Sequence, residues 1–262
     1  MLRTLEHLER MAIGAVDGPI GKVKDAYFED RNWTVRYLVV DTGGWLSRKV
    51  LVTPLSIQGA DWDAHRIDVS MTREQVRHSP DIDADKPVSR QHEMAYLSYY
   101  GLPYYWGGPM LWGPSEYPSD VGELSRERLR TEPSLEESQS SSEHGDPRLR
   151  SCRTVAGYHI EATDGPIGHV EDYLLDDRTW SIVYIAVETR NWLPGQHVLV
   201  STEHVRRVSW EERKIYLALS KAEVRRCPPF DRDLGLSDLE ERAAHEQYPH
   251  PDPHRFSNTT FR

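Results

Sequence analysis

One pattern occurs twice in this chain, and that duplication limits the fold more than any other feature. Asp17-Gly18-Pro19-Ile20-Gly21 returns as Asp164-Gly165-Pro166-Ile167-Gly168, an offset of 147 residues. At that offset 17 of the 34 positions from Ile13 to Leu46 are identical. The matched residues include Asp17/Asp164, Gly18/Gly165, Gly21/Gly168, Asp25/Asp172, Trp33/Trp180, Tyr37/Tyr184 and Trp45/Trp192. After one inserted residue the offset becomes 148, and Val50-Leu51-Val52 matches Val198-Leu199-Val200. Trp62/Trp210, Ile67/Ile215, Val76/Val224 and Pro80/Pro228 continue the match. A copy of roughly 80 residues is near the lower limit for an independent core.

Each copy reads as a small all-β unit. Asp17-Gly18 is a hairpin signal, because glycine tolerates positive φ. Val23–Phe28 and Trp33–Asp41 are rich in β-branched and aromatic residues, with a turn at Asp30-Arg31-Asn32. Val35, Tyr37 and Val39 line one strand face, while Leu38 and Val40 make most of the other apolar too. Strands apolar on both faces are covered on both faces. Lys49–Thr53 and His65–Val69 supply two more strands, and a short helix follows, capped by Thr72 with Gln75 and, in copy two, by Ser220 with Glu223. Five or six short strands protect their edges best by closing into a barrel.

These residues resemble the PRC-barrel family. The shared pattern is Asp-Gly-x-x-Gly-x-Val-x-Asp, then Asp-x-x-x-Trp-x-x-x-Tyr, then Trp-Leu and Val-Leu-Val, closing with a capped helix before Pro. The family is named after the cytoplasmic domain of the photosynthetic reaction-centre H subunit, and is similar more distantly to the C-terminal domain of the ribosome maturation factor. The resemblance covers residues 1–80 and 148–228. It implies a mainly β chain of two small PRC-type barrels in tandem, acting as a non-enzymatic module that binds another protein or a membrane-bound complex. A membrane-bound electron-transfer complex such as the reaction centre is the first expectation, and a ribosome-linked or RNA-processing assembly factor is the alternative.

The remaining sequence sets the domain plan. Residues 1–80 carry 11 acids and 11 bases, and 151–228 carry 11 and 10, whereas 81–150 carry 13 and 7 and 229–262 carry 7 and 4. The expected division is therefore a first barrel over 1–80, a helix and aromatic arm over 81–133, a flexible acidic linker over 134–147, a second barrel over 148–228, and a short helix (Ser237–Gln247) with a disordered tail over 229–262. A formal net charge of −10 argues against direct nucleic-acid binding through a basic surface.

The arm occurs once. Ser89–Tyr100 reads as a helix stopped by Gly101. Eight of the 25 aromatic residues lie between Tyr96 and Tyr117. Two readings stay open: the arm covers an apolar face of a barrel, or it presents an aromatic patch to a partner or membrane interface. On the second reading the contact residues are Tyr99, Tyr100, Tyr104, Tyr105, Trp106 and Trp112. The arm's 22 uncharged residues between Glu93 and Glu116 are broken by glycine and proline, which rules out a spanning helix there.

No chemistry-bearing spacing emerges. The repeated carboxylates sit at turns and strand edges, where Asp bonds backbone. No zinc, EF-hand, phosphate-loop or nucleophile-elbow pattern is present. His245, His250 and His254 read as part of a solvated Pro-rich tail. The expectation is no catalytic residue, no metal and no cofactor. Met1–His7 shows no apolar run or cleavage site, so the chain is expected to be cytoplasmic, with at most peripheral contact at the inner face of the plasma membrane, and Cys152 and Cys227 are expected to be reduced.

Overall fold

The apolar, β-branched runs become strands in the computed structural model of the chain, which describes residues 1–46, 48–80, 88–106, 108–131, 149–189 and 197–230. β1 (Leu2–Thr4) and a helical turn, α1 (Leu5–Glu9), precede β2 (Ala12–Ala15), β3 (Gly18–Glu29), β4 (Thr34–Asp41), β5 (Lys49–Val52), β6 (Ile57–Asp61), β7 (Arg66–Val69) and α2 (Arg73–His78). Helices α3 (Arg90–Tyr99) and α4 (Pro118–Thr131) follow. The second copy repeats the order: β8 (Leu149–Ser151), α5 (Cys152–Val155), β9 (His159–Ala162), β10 (Gly165–Asp176), β11 (Ile182–Glu188), β12 (His197–Ser201), β13 (Val205–Ser209), β14 (Lys214–Leu217) and α6 (Lys221–Val224). Among the described residues the chain is mainly β, with two mixed sheets of seven strands each.

The chain divides into two units. The first-repeat unit is Leu8–Ser151 with Arg178–Trp180, and the second-repeat unit is Met1–His7, Cys152–Asp177 and the chain from Ser181 onward. The first sheet runs β5-β4-β3-β2-β7-β6 and the second β12-β11-β10-β9-β14-β13. In each, the strand that opens the repeat pairs in parallel with the last one, β2 with β7 and β9 with β14, and the other neighbours are antiparallel.

The seventh strand of each sheet comes from the other repeat. β1 pairs with β10 (Leu2 opposite Asp176, Arg3 opposite Leu175, Thr4 opposite Leu174). β8 pairs with β3 (Leu149 opposite Glu29, Arg150 opposite Phe28, Ser151 opposite Tyr27). The offset of 147 carries Leu2 onto Leu149 and Glu29 onto Asp176, so the exchange is reciprocal and in the same register. A division at residues 80 and 148 cuts across both pairings.

Closure into barrels is not found among the described residues. The two ends of each sheet, β5 and β6 or β12 and β13, are consecutive strands joined by a single 3-10 turn, Pro54–Ser56 or Thr202–His204, with no ladder between them. At these corners Thr53 and Ser201 accept the backbone N–H of Leu55 and Glu203 through their hydroxyls.

The repeated residues now have reasons. Asp17 accepts the N–H of Arg73 at 2.7 Å and Asp164 that of Lys221 at 2.8 Å, tying each hairpin to the first residue of the repeat's last helix. Asp25 and Asp172 sit at a bulge and accept the following N–H, from Ala26 at 2.7 Å and Tyr173 at 2.8 Å. Gly18 and Gly165 have φ of 139° and 126°. A Cβ on Gly21 would meet the Asp41 carbonyl oxygen at 2.0 Å, and on Gly168 that of Glu188 at 1.8 Å. Trp33 and Trp180 hold φ of 57° and 61° at the turn into β4 and β11, and both are buried. Both capping boxes form, Thr72 with Gln75 and Ser220 with Glu223. Trp192, the side chain of Trp45, residues 134–147, and the tail with its helix and histidines lie outside the described residues.

Candidate interaction surface

The surface is built on β4, where Thr34 to Val40 are buried on both faces. Arg36 breaks that apolar run, at 2% exposure. Its guanidinium meets Glu29 of β3, with Nη2 2.6 Å and Nε 3.1 Å from Oε2. Its third contact donates from Nη1 to the Leu111 carbonyl at 2.6 Å, which holds the arm's backbone. A buried charge is tolerable only when paired and hydrogen-bonded, and Arg36 is both.

The arm closes over this ion pair with its aromatic rings. The Tyr105 ring lies 3.9 Å from the Arg36 guanidinium and the Trp112 ring 4.7 Å. Trp112 is wholly buried, and its indole N–H donates to the Thr179 carbonyl at 2.9 Å. The Tyr105 hydroxyl donates to Glu93 of α3. Glu93 also meets Arg90 at 3.0 Å. α3 is set by Ser89, which caps it through the His92 N–H, and is stopped by Gly101 at φ 63°. Tyr96 anchors its inner face, giving its hydroxyl proton to the Leu51 carbonyl at 3.0 Å and packing edge-on against Tyr37 at 5.2 Å.

Burial shapes the electrostatics of this cluster. Loss of water pushes the Glu93 carboxyl up to about 7, with Glu29 adding to the rise, while Arg90, the Tyr105 hydroxyl and Arg36 pull against it. Burial also drives the Tyr105 and Tyr37 hydroxyls well above the usual phenol range, Glu93 adding to both. The Tyr37 hydroxyl is buried and meets no hydrogen-bond partner among the described residues. Glu29, Arg36 and Glu93 are 6%, 2% and 3% exposed, so they act as anchors for the arm and are out of reach of a substrate-sized molecule in this conformation.

The six expected contact residues therefore separate. Tyr105 and Trp112 face inward, because Glu93 and the Thr179 carbonyl take their polar tips and Arg36 faces both rings, and they are corrected from partner contacts to anchors. Tyr100 is half-buried. Tyr99 is exposed at 41% and donates to the Gln75 carbonyl at 3.0 Å. Tyr104 and Trp106 are half-buried and stack at 4.7 Å with rings 13° from parallel, and the Arg90 guanidinium lies 4.0 Å from the Trp106 ring. Met94 and Met110, both at least 40% exposed, lie on the same α3–arm segment. Sequence reasoning passed over Glu29, Arg36, Arg90 and Glu93, although a lone arginine within an apolar strand was a visible signal.

Among the described residues no three of His, Cys, Asp and Glu gather as metal ligands, and no helix is long and apolar enough to cross a membrane. Cys152 and Cys227 are buried free thiols. No protein-family model matches the chain. It is similar to an uncharacterized protein of Deinococcus radiodurans, 34% identical over 80 residues, which are 30% of this chain and 29% of that protein. The match thus spans less than a third of that relative's length.

Proposed function

We propose that this chain is a non-enzymatic assembly module, built from two PRC-type repeats, that binds another protein through the outer side of its aromatic arm. The observation that carries this reading is the division of labour in the arm. Tyr105 and Trp112 are locked onto Arg36, and that lock holds the Arg90–Trp106–Tyr104 stack half-exposed on a preset loop. Tyr and Trp on a rigid support give large contact area at small entropy cost, the composition of an interface hot spot. The aromatic arm occurs once, although the sheet beneath it occurs twice. The resemblance to the reaction-centre subunit makes a membrane-bound electron-transfer complex the partner class to try first.

The test compares the wild-type chain with Tyr104→Ala/Trp106→Ala as affinity baits, alongside thermal unfolding of both. Binding should weaken by about 2 kcal/mol or more with a much smaller loss of stability. Recovery of the same proteins in equal amounts by both baits would overturn the reading.

A further inference from the structure

β10 has one edge covered by β11 along most of its length. On its other edge β9 pairs only from Gly165 to His169, and Leu174–Asp176 would be bare without β1. A bare strand edge beside a buried core is a template for another strand. β1 fills the slot through more than backbone pairing. Leu2 is buried with Leu174, Val183, Tyr184, Leu199 and Phe230, and Arg3 meets Asp177 at 3.2 Å. In the other sheet β8 does the same on β3, where Arg150 meets Asp30 at 3.4 Å. Arg3/Arg150 and Asp30/Asp177 are equivalent positions of the repeat. The slot and its strand thus form a transferable pair: Leu-Arg-Thr or Leu-Arg-Ser, supplied by a distant segment, is read in one register.

We propose that the β10 edge is a strand-acceptor site whose partner is a second copy of this chain, the two copies exchanging their Leu2–Thr4 strands. The same hydrogen bonds, buried leucine and ion pair form whether the strand arrives from its own chain or from another. Only chain-closure entropy and concentration separate the two states. The equivalent slot on β3 is filled in the same way by Leu149–Ser151.

The experiment uses full-length chains carrying complementary charge reversals. R3E sets a carboxylate against Asp177, and D177R sets a guanidinium against both Arg3 and the Met1 ammonium, which meets Asp177 at 2.7 Å; neither chain alone, closed or paired with itself, has a matched pair between positions 3 and 177. When the two are unfolded together and refolded as a mixture, both exchanged junctions are matched. One regains the native Arg3–Asp177 pair, and the other holds the same pair with its charges reversed. Native mass spectrometry should show the mixed dimer roughly tenfold above the dimer of either variant alone. The R3E/D177R chain restores the pair between positions 3 and 177 within one molecule but leaves the Met1 ammonium against a guanidinium, so it should recover the closed monomer more fully than D177R alone. A second measurement does not depend on how well the variants fold. Wild type refolded over a roughly hundredfold range of concentration should give a rising dimer fraction, as mass action requires, and Leu2→Asp should abolish it. Mixed variants that remain monomeric, or a wild-type dimer fraction that Leu2→Asp leaves unchanged, would overturn the proposal.

Discussion

Position 36 and its counterpart 183 occupy the same place in the two repeats, each beside the same register shift between the paired strands. In the first repeat the residue is Arg36, 2% exposed; in the second it is Val183, 3% exposed. Two equally buried sites on equivalent strands thus carry opposite chemistry. Val183 joins an apolar cluster with Leu2, Tyr184, Leu199 and Phe230. Arg36 pairs with Glu29 and is roofed by Tyr105 and Trp112. The sheet is therefore a common platform, and the cover laid over it differentiates the two units. An apolar cover needs only shape, whereas a charged site fixes its cover through directional bonds to Glu29, to the Leu111 carbonyl and to two ring faces. We read this as specificity for one arm conformation, at a desolvation cost that an apolar site avoids.

The largest expected effect comes from making the first repeat resemble the second at this position. Arg36→Val strands Glu29 in the interior and removes the cation beneath both rings. Breaking one side of a buried pair in this way should cost about 3–5 kcal/mol. Chemical denaturation should show the loss, and Arg36→Val/Glu29→Leu should recover most of it by removing the stranded charge. Equal stability of wild type and Arg36→Val would mean that the ion pair does not hold the arm.

A smaller effect should appear with pH. Glu93 has a folded value raised to about 7, chiefly by burial, against an ordinary value of 4.5. The folded state therefore holds this proton more tightly than the unfolded state. Its stabilising contribution is full below the ordinary carboxylate value and is lost as pH rises through about 7. Glu93→Gln keeps the site neutral at every pH. The stability of this variant relative to wild type should improve between pH 5 and pH 8 by on the order of 2–3 kcal/mol. Parallel pH profiles for the two chains would show that Glu93 does not titrate in this window.

Much of this was legible in the sequence, for local reasons. Asp17-Gly18, the apolar Val35–Val40 run and the Thr72–Gln75 cap act over a few residues and appear in the fold where they were expected. The exchanged strands act over long range. Leu2-Arg3-Thr4 is too short to show periodicity, and nothing near it names Leu174–Asp176 as its partner. α4 was hidden for another reason. Its polar composition merges with that of the linker, and the cue is tertiary: Gly122 approaches so closely that a Cβ there would lie 2.3 Å from the Leu55 carbonyl oxygen. In the arm, Tyr104 and Tyr105 are the same residue type side by side. Only the positions of Arg36 and Glu93 determine which one turns inward.

The reciprocal exchange of strands is the central claim, and hydrogen–deuterium exchange on the full chain tests it directly. Leu2→Asp places a charge where β1 inserts Leu2 into the second-repeat cluster. Although the substitution lies in the first repeat by sequence, faster amide exchange is predicted at Leu174–Asp176, Val183 and Leu199, with Val39 and Leu51 unchanged. Faster exchange at Val39 and Leu51, with the second repeat unaffected, would contradict the account.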